Sequence, residues 1–396
     1  MSLVAVSRTK PSVLLQSCVS TCTAVGLLAS AAAFAAEPQA PAQQLIQQQQ
    51  RERAQREQLE PSPDVRLQAP QDTEASLRLP RDETPCFKID RVVLSGDQAE
   101  DFQWALRAAN PSDDPVQGRC VGARGINLTM KRIQNAIIAK GFITTRVLAQ
   151  AQDLNQGTLS LVVVPGRIKH IRFAAGTSAR ANYWNAMPAS DGDVLNLRDI
   201  EQALENFKRV PTAEADVQIT PAEGADAQPG ESDVVIAWKQ AVPVRVSLSV
   251  DDSGSKQTGK YQGNVALSLD NLATLNDLFY ISFNHDLGGG ESGDRGSKGH
   301  TIHYSVPYDY WQLSLTSSEY DYHQTIAGVN QAYSYSGRSR TNEVQLSRVI
   351  YRDAVRKTTV SLGGWSRTSS NYVEDTEIES QRRRMAGWQA GINHRE

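Results

Sequence analysis

Long apolar runs are missing from this 396-residue chain once its first 35 residues are passed. No later stretch reaches the roughly 18 apolar residues that a membrane-crossing helix needs. An excess of charge is missing too. The formal net charge is −3, which leaves no basic footprint for nucleic acid. Histidine is scarce, and His300 and His303 cannot chelate together, because a strand would turn them to opposite faces. Asp251 and Asp252 are adjacent, diverge in the same way, and read as loop acids. No Ser/His/Asp arrangement, phosphate-cradling loop or metal-ligand spacing is found. The chain is therefore expected not to be an enzyme, and to hold no cofactor and no metal. Cysteine is rare, with four in all.

Two of the four, Cys18 and Cys22, fall in a predicted secretory signal over residues 1–35. Arg8 and Lys10 form a basic start, and Val13 to Phe34 is apolar or small. Ala33-Phe34-Ala35 fits the small-x-small cleavage rule. An uncleaved anchor helix is the alternative, opposed by Gln16, Ser17 and Thr21. Cys86 and Cys120 then remain. An even, small cysteine count in an exported chain predicts one disulfide, with two free thiols as the alternative. Closing a loop of about 35 residues would stabilise by roughly 3–4 kcal/mol.

Residues 36–60 contain Gln43 to Glu57, rich in Gln, Arg and Glu, with no Gly or Pro. These are good helix formers, and the helix would be polar almost all round. Such a helix stands in water or lines a polar cavity, and the plainer reading is a frayed solvated helix or disorder. Residues 61–85 carry Pro61, Pro63, Pro70, Pro80 and Pro85. Proline fixes φ and keeps the chain extended, so this is a linker.

Residues 86–165 read as a β-α-α-β-β unit. Phe87 to Leu94 is its first strand, Phe102 to Ala109 a short helix, and Asn127 the cap of a second helix ended by Gly141. Phe142 to Leu148 and Thr158 to Val164 complete it. Pro165-Gly166-Arg167 joins a second copy over residues 166–241. There Ala181 to Met187 is a weak helix and Asn196 opens a stronger one. Ala215 to Thr220 and Asp233 to Trp238 are the closing strands. Each unit is long enough for a small core.

Residues 242–396 alternate apolar and polar. Val244, Val246, Leu248 and Val250 interleave with Arg245, Ser247 and Ser249, and later stretches repeat the pattern. Eight strands are expected, separated by turns that are alternately short and long. After the fifth strand, polar sequence to about Thr341 reads as loop, as does Arg367 to Arg383. Tyr304, Tyr308, Tyr310 and Trp311 cluster at one short turn, where an interfacial aromatic girdle would sit. A membrane β-barrel fits this pattern better than a soluble β-domain. The fold class is thus α+β and all-β.

Several short motifs carry a resemblance. They are Cys86-Phe87-x-Ile89, Gly141 to Arg146, Pro165-Gly166-Arg167-Ile168 and Leu197 to Leu204. In the strand region they are Asp252-Ser253-Gly254, Thr258 to Gly263, Asp270-Asn271-Leu272, Asn276-Asp277-Leu278 and Tyr304-Ser305-Val306-Pro307. The two units resemble POTRA domains. The whole chain resembles the two-partner secretion transporters, the haemolysin secretion/activation (TpsB) family. That resemblance implies an outer-membrane transporter, with its POTRA domains in the periplasm. It would export a large exoprotein of the TpsA type, an adhesin, haemolysin or contact-dependent toxin, without ATP. Expected partners are that client, outer-membrane lipid, periplasmic chaperones and the barrel-assembly machinery. No nucleic acid is expected, and the chain should be a monomer.

The resemblance also implies that the polar helix plugs the pore, with Gln47, Gln50, Arg51 and Arg53 as candidate plug residues. Ala215, Val217 and Ile219 mark the candidate client-binding edge strand. The family barrel looks like sixteen strands, and its Val-Arg-Gly-Tyr/Phe lumen motif finds no match here. A truncated chain or gene fragment is therefore expected. A barrel-assembly or insertion factor and a soluble periplasmic binding scaffold are the alternatives.

Overall fold

The computed structural model describes residues 41–70 and 72–396, and the predicted signal over residues 1–35 lies outside them. Helix α1 spans Pro41–Leu59. The first unit holds β1 (Phe87–Ile89), β2 (Arg91–Gly96), a 3-10 segment Ala99–Ala109, β3 (Arg119–Val121), α2 (Ala123–Ala139), β4 (Arg146–Ala149) and β5 (Thr158–Val164). Its sheet runs β2-β5-β4, with β2 parallel and β4 antiparallel to β5. Ile133 and Ile137 of α2 pack with Phe102, Leu159 and Leu161 in one buried cluster. Cys86 and Cys120 form the expected disulfide, with their Cα atoms 5.3 Å apart. It ties the small β1–β3 ladder, which the sequence pattern did not reveal.

Helix α2 starts at Ala123 rather than at Asn127. The reason is a cap from far along the chain. Both Glu83 carboxylate oxygens accept backbone N–H groups, from Gly122 at 2.8 Å, Arg124 at 2.9 Å and Gly125 at 3.1 Å. A helix start leaves such N–H groups unpaired, and a negative charge there is favoured. The linker, which makes a 3-10 turn at Thr73–Ser76, is therefore strapped down. Asp72 binds Asn135, Leu79 is buried, and the Leu79 amide donates to Asp114.

The second unit has β6 (Arg167–Phe173), α3 (Leu197–Lys208), β7 (Ala213–Pro221) and β8 (Glu231–Gln240), in sheet order β6-β8-β7. Asn196 caps α3 through the Arg198 amide, as its position predicts. The weak helix expected over Ala181 to Met187 is not formed. That stretch instead spends its polar groups on the long sheet that follows.

That sheet comprises β9 (Val244–Asp251), β10 (Gln262–Asp270), β11 (Leu278–Asp286), β12 (Arg295–Tyr308), β13 (Trp311–Ala327), β14 (Ala332–Arg352), β15 (Lys357–Val373), the two-residue β16 (Thr376–Glu377) and β17 (Arg383–Arg395). Neighbours in sequence pair antiparallel, with β17 against β15. Among the described residues the outer edges of β9 and β17 are unpaired, so the sheet does not close. Register stacks one side chain type on another. Val246, Leu267, Ile281 and Ile302 are cross-strand partners on one face, as are Leu313, Leu346, Leu362 and Ala390. Ser282, Thr301, Ser318, Thr341 and Arg367 form one rung on the other.

Strands β13 to β15 are much longer than their apolar pattern. Beyond Leu315 the apolar face turns to Glu319 and Asp321, paired with Arg340 and Arg338 at 2.7 Å. The other face carries Tyr320, Tyr322 and Tyr335, buried together, so the aliphatic alternation disappears although the ladder continues. The two polar runs expected to be loops are thus largely strand.

Replacing Glu83 with alanine leaves three N–H groups of α2 uncapped. Loss of a cap costs about 1–2 kcal/mol. Thermal unfolding should show that loss, and amide exchange at Gly122, Arg124 and Gly125 should accelerate.

Candidate functional site

Helix α1 lies on the polar face of the long sheet. Its contacting side is Gln48, Arg51, Glu52, Gln55, Arg56 and Leu59, spaced at three and four residues. Gln55 meets Ser282 at 3.4 Å on β11, and Arg56 pairs with Glu343 at 3.5 Å on β14. The Arg51 guanidinium lies 5.9 Å from the Tyr320 ring centre on β13. Leu59 is the apolar foot, buried with Ala266, Leu278 and Tyr280. A helix is about 10–12 Å wide with its side chains. Contact with β11, β13 and β14 together means that the sheet curls around it.

Of the four predicted plug residues, only Arg51 stacks on the wall. Gln50 and Arg53 are exposed and border a polar cavity of about 730 Å³, and Gln47 is half-buried. Sequence pattern does not mark the residues that do touch the wall, because the wall is polar. With no apolar stripe on α1, periodicity cannot mark the contacting side.

Just past α1 comes Glu60, which joins three parts of the molecule. Its carboxylate accepts from Ser305 at 2.8 Å and Gln312 at 3.0 Å, meets His303 Nε2 at 3.0 Å, and pairs with Arg209 at the end of α3. Arg209 also donates to the Asn276 carbonyl at 3.0 Å and to Ser305 at 2.7 Å. Burial would raise the Glu60 pKa. The hydrogen bond from His303, the Arg209 charge and Ser305 overcome this and hold it at about 2.

A second cluster fixes α3 to the turn between β14 and β15. Arg352 donates to Glu201 and Glu205, each at 2.9 Å, and to the Val65 carbonyl. Lys357 adds a bond to Glu205 at 2.9 Å. The same carboxylates take linker amides, Val65 at 3.0 Å on Glu205 and Leu67 at 2.6 Å on Glu201. Helix, turn and linker thus share two buried carboxylates.

Asparagines make a third contact. Asn182 donates to Thr274 at 3.0 Å, and Asn185 to Leu275 at 2.6 Å and Pro307 at 2.8 Å. These bonds occupy the stretch expected to be a weak helix.

Strand β7 is the last in its sheet, and among the described residues nothing pairs with its outer edge. Ala215, Val217 and Ile219 are on it, but their side chains pack into the second unit's core. What β7 offers outward is its backbone, with Glu214, Asp216 and Gln218 exposed beside it. Pro165 and Gly166 lie between β5 and β6, and Arg167 opens β6. The Gly166 amide donates to Thr145 at 3.2 Å, and the Gly166 Cα sits too close to Thr144 for a side chain.

Comparison with known proteins follows this architecture closely. Residues 230–396 match the model of the haemolysin secretion/activation protein ShlB/FhaC/HecB family. Residues 87–166 match the ShlB-type POTRA domain, and residues 167–221 a second POTRA model. The solved structure of CdiB from Acinetobacter baumannii superimposes with a TM-score of 0.77 at 30% identity, covering 90% of this chain and 67% of that one. The chain belongs to the haemolysin secretion/activation family. Within it, CdiB from Escherichia coli gives a TM-score of 0.71 at 28% identity. The outer membrane transporter CdiB-2 of Burkholderia pseudomallei is 40% identical over 363 residues, 88% of this chain. The chain spans about 60% of that relative's length. The two units are thus POTRA domains, and the sheet is part of the family's β-barrel.

Removing Arg352 leaves Glu201 and Glu205 buried with less compensation. Breaking a buried pair in this way costs about 3–5 kcal/mol. Arg352→Gln should therefore loosen the second POTRA domain from the barrel turn, read as faster proteolysis near Val65.

Glu60 gives a pH dependence with a definite sign. Its folded pKa of about 2 lies below the usual value of 4.5, so its stabilisation is present above 4.5 and fades as pH falls toward 2. The full effect is about 3 kcal/mol. A spin label on α1 should gain mobility across that window, and Glu60→Gln should remove the pH dependence.

Proposed function

We propose that this chain acts in the outer membrane as a transporter for one large secreted exoprotein, an adhesin, haemolysin or contact-dependent toxin. The carrying observation is a sheet with an apolar band across one face from β9 to β17 and a polar opposite face, the polar face occupied by a polar helix. Lipid would meet the apolar rows, and the client would pass along the polar side once α1 has left. An unclosed sheet would leave bare backbone in hydrocarbon, which is very costly, so the working barrel must complete its pairing.

The POTRA domains receive the client in the periplasm. An extended segment adds to the free edge of β7 through backbone hydrogen bonds. Glu214, Asp216 and Gln218 flank that edge and would read the client's side chains. Folding of the client outside makes return unfavourable, so no ATP is required. Periplasmic chaperones would keep the client unfolded, and the barrel-assembly machinery would insert the transporter.

A photo-crosslinker placed at Asp216 tests this reading directly. It should capture the co-expressed exoprotein, whereas the same group at Asp191, on a loop of the same domain, should not. Equal capture at both positions, or none at Asp216, would reject β7 as the receiving edge.

A further inference from the structure

The second POTRA domain exposes a large aromatic ring beside the barrel. Trp184 is 66% exposed, although the loop that carries it is anchored on both sides by Asn182 and Asn185. Its ring meets Tyr308 edge-on, with centroids 5.5 Å apart. Tyr308 is the last member of the β12 row Ile302, Tyr304, Val306 and Tyr308, which faces away from α1. Directly opposite Tyr308 in register is Trp311, and opposite Trp311 is Arg348. The Arg348 guanidinium sits 4.8 Å from the Trp311 ring centre. Among the described residues no carboxylate pairs with it.

Trp184, Tyr308, Trp311 and Arg348 therefore form one exposed band around the periplasmic end of the apolar face. Only the first comes from the POTRA domain. Tryptophan and tyrosine favour the headgroup level of a bilayer, where an apolar ring and a polar edge are both satisfied. A guanidinium presents a planar fork that matches a phosphate.

We propose that the second POTRA domain rests on the periplasmic leaflet through Trp184, beside a phospholipid whose phosphate is held by Arg348. The inference rests on the membrane reading above. Phospholipid is the occupant because the band continues, in strict register, the rows that would face hydrocarbon. Arg348 supplies the complementary charge. The lipid contact adds a fourth support for the domain, independent of the Arg209–Glu60 contact, of the carboxylate cluster on α3 and of the asparagine bonds to the turns.

Tryptophan fluorescence in bilayers of brominated phospholipid tests the placement. The emission lost in Trp184→Phe isolates Trp184, that lost in Trp388→Phe isolates a ring on the apolar face of β17, and Trp238 in the POTRA core is shielded. Bromolipid should quench the Trp184 component by at least about half as much as the Trp388 component, as interfacial depth requires. Quenching of Trp388 without Trp184 would overturn the proposal and leave the barrel reading standing, with Trp184 facing water or protein. Failure to quench either would overturn both. Arg348→Gln should reduce the Trp184 quenching if the phosphate contact holds the domain down, and unchanged quenching would remove Arg348 from the proposal.

Discussion

Every strand of the long sheet must satisfy two solvents at once. Backbone groups cannot be left unpaired in hydrocarbon, so the strands pair through their ladders and only side chains choose a side. From β9 to β17 that choice is kept in register. Leu248 faces Val265, Val265 faces Phe283, and Leu313 faces Leu346 and then Leu362. A single one-residue slip would send an entire strand's valines and leucines into the polar interior. The position of α1 follows from the same constraint, because a helix bearing Gln, Arg and Glu on all sides has only the polar face to lie against.

The polar face holds this helix by a means unlike a protein core. Leu59 supplies the one buried apolar foot among the described contacts of α1, and the remainder are amides, guanidinium groups and hydroxyls. Exposed or solvated pairs of this kind contribute little each. The strong part is at the end, where Glu60 is enclosed by Arg209, His303, Ser305 and Gln312. Two of those come from β12, one from β13 and one from the second POTRA domain. A disturbance of that domain is therefore felt at the foot of the helix before it is felt along its length.

Much of this organisation was legible in the sequence. The two α+β units, the Asn196 cap, the disulfide pair and the apolar rows of the sheet follow from local pattern, and the structure shows them. What could not be read depends on contacts distant in sequence. Asn127 looked like the start of a helix because nothing local announces that Glu83 caps the amides at Gly122 to Gly125. Ala181 to Met187 looked weakly helical, yet its asparagines are drawn to the barrel turns. The upper parts of β13, β14 and β15 read as loops because their outer face is charged and their inner face holds tyrosines and polar groups in place of an aliphatic row. The wall-facing residues of α1 were hidden because period-based reading detects apolar stripes, and this contact is polar on both sides.

The linker shows how these long-range contacts combine. Its prolines predict an extended chain, which a 3-10 turn over Thr73–Ser76 interrupts, and its path is dictated by carboxylates and amides on the domains it passes. Val65 and Leu67 donate to Glu205 and Glu201, Asp72 is bound by Asn135, and Glu83 reaches the start of α2. Glu201 and Glu205 are the same groups that hold Arg352 of the barrel turn. Withdrawing α1 would pull on a segment whose first anchors are shared with the POTRA–barrel junction. The linker cannot then be a slack tether. Movement of the helix has to be matched by rearrangement at α3, so the positions of α1 and of the second POTRA domain are mechanically one variable.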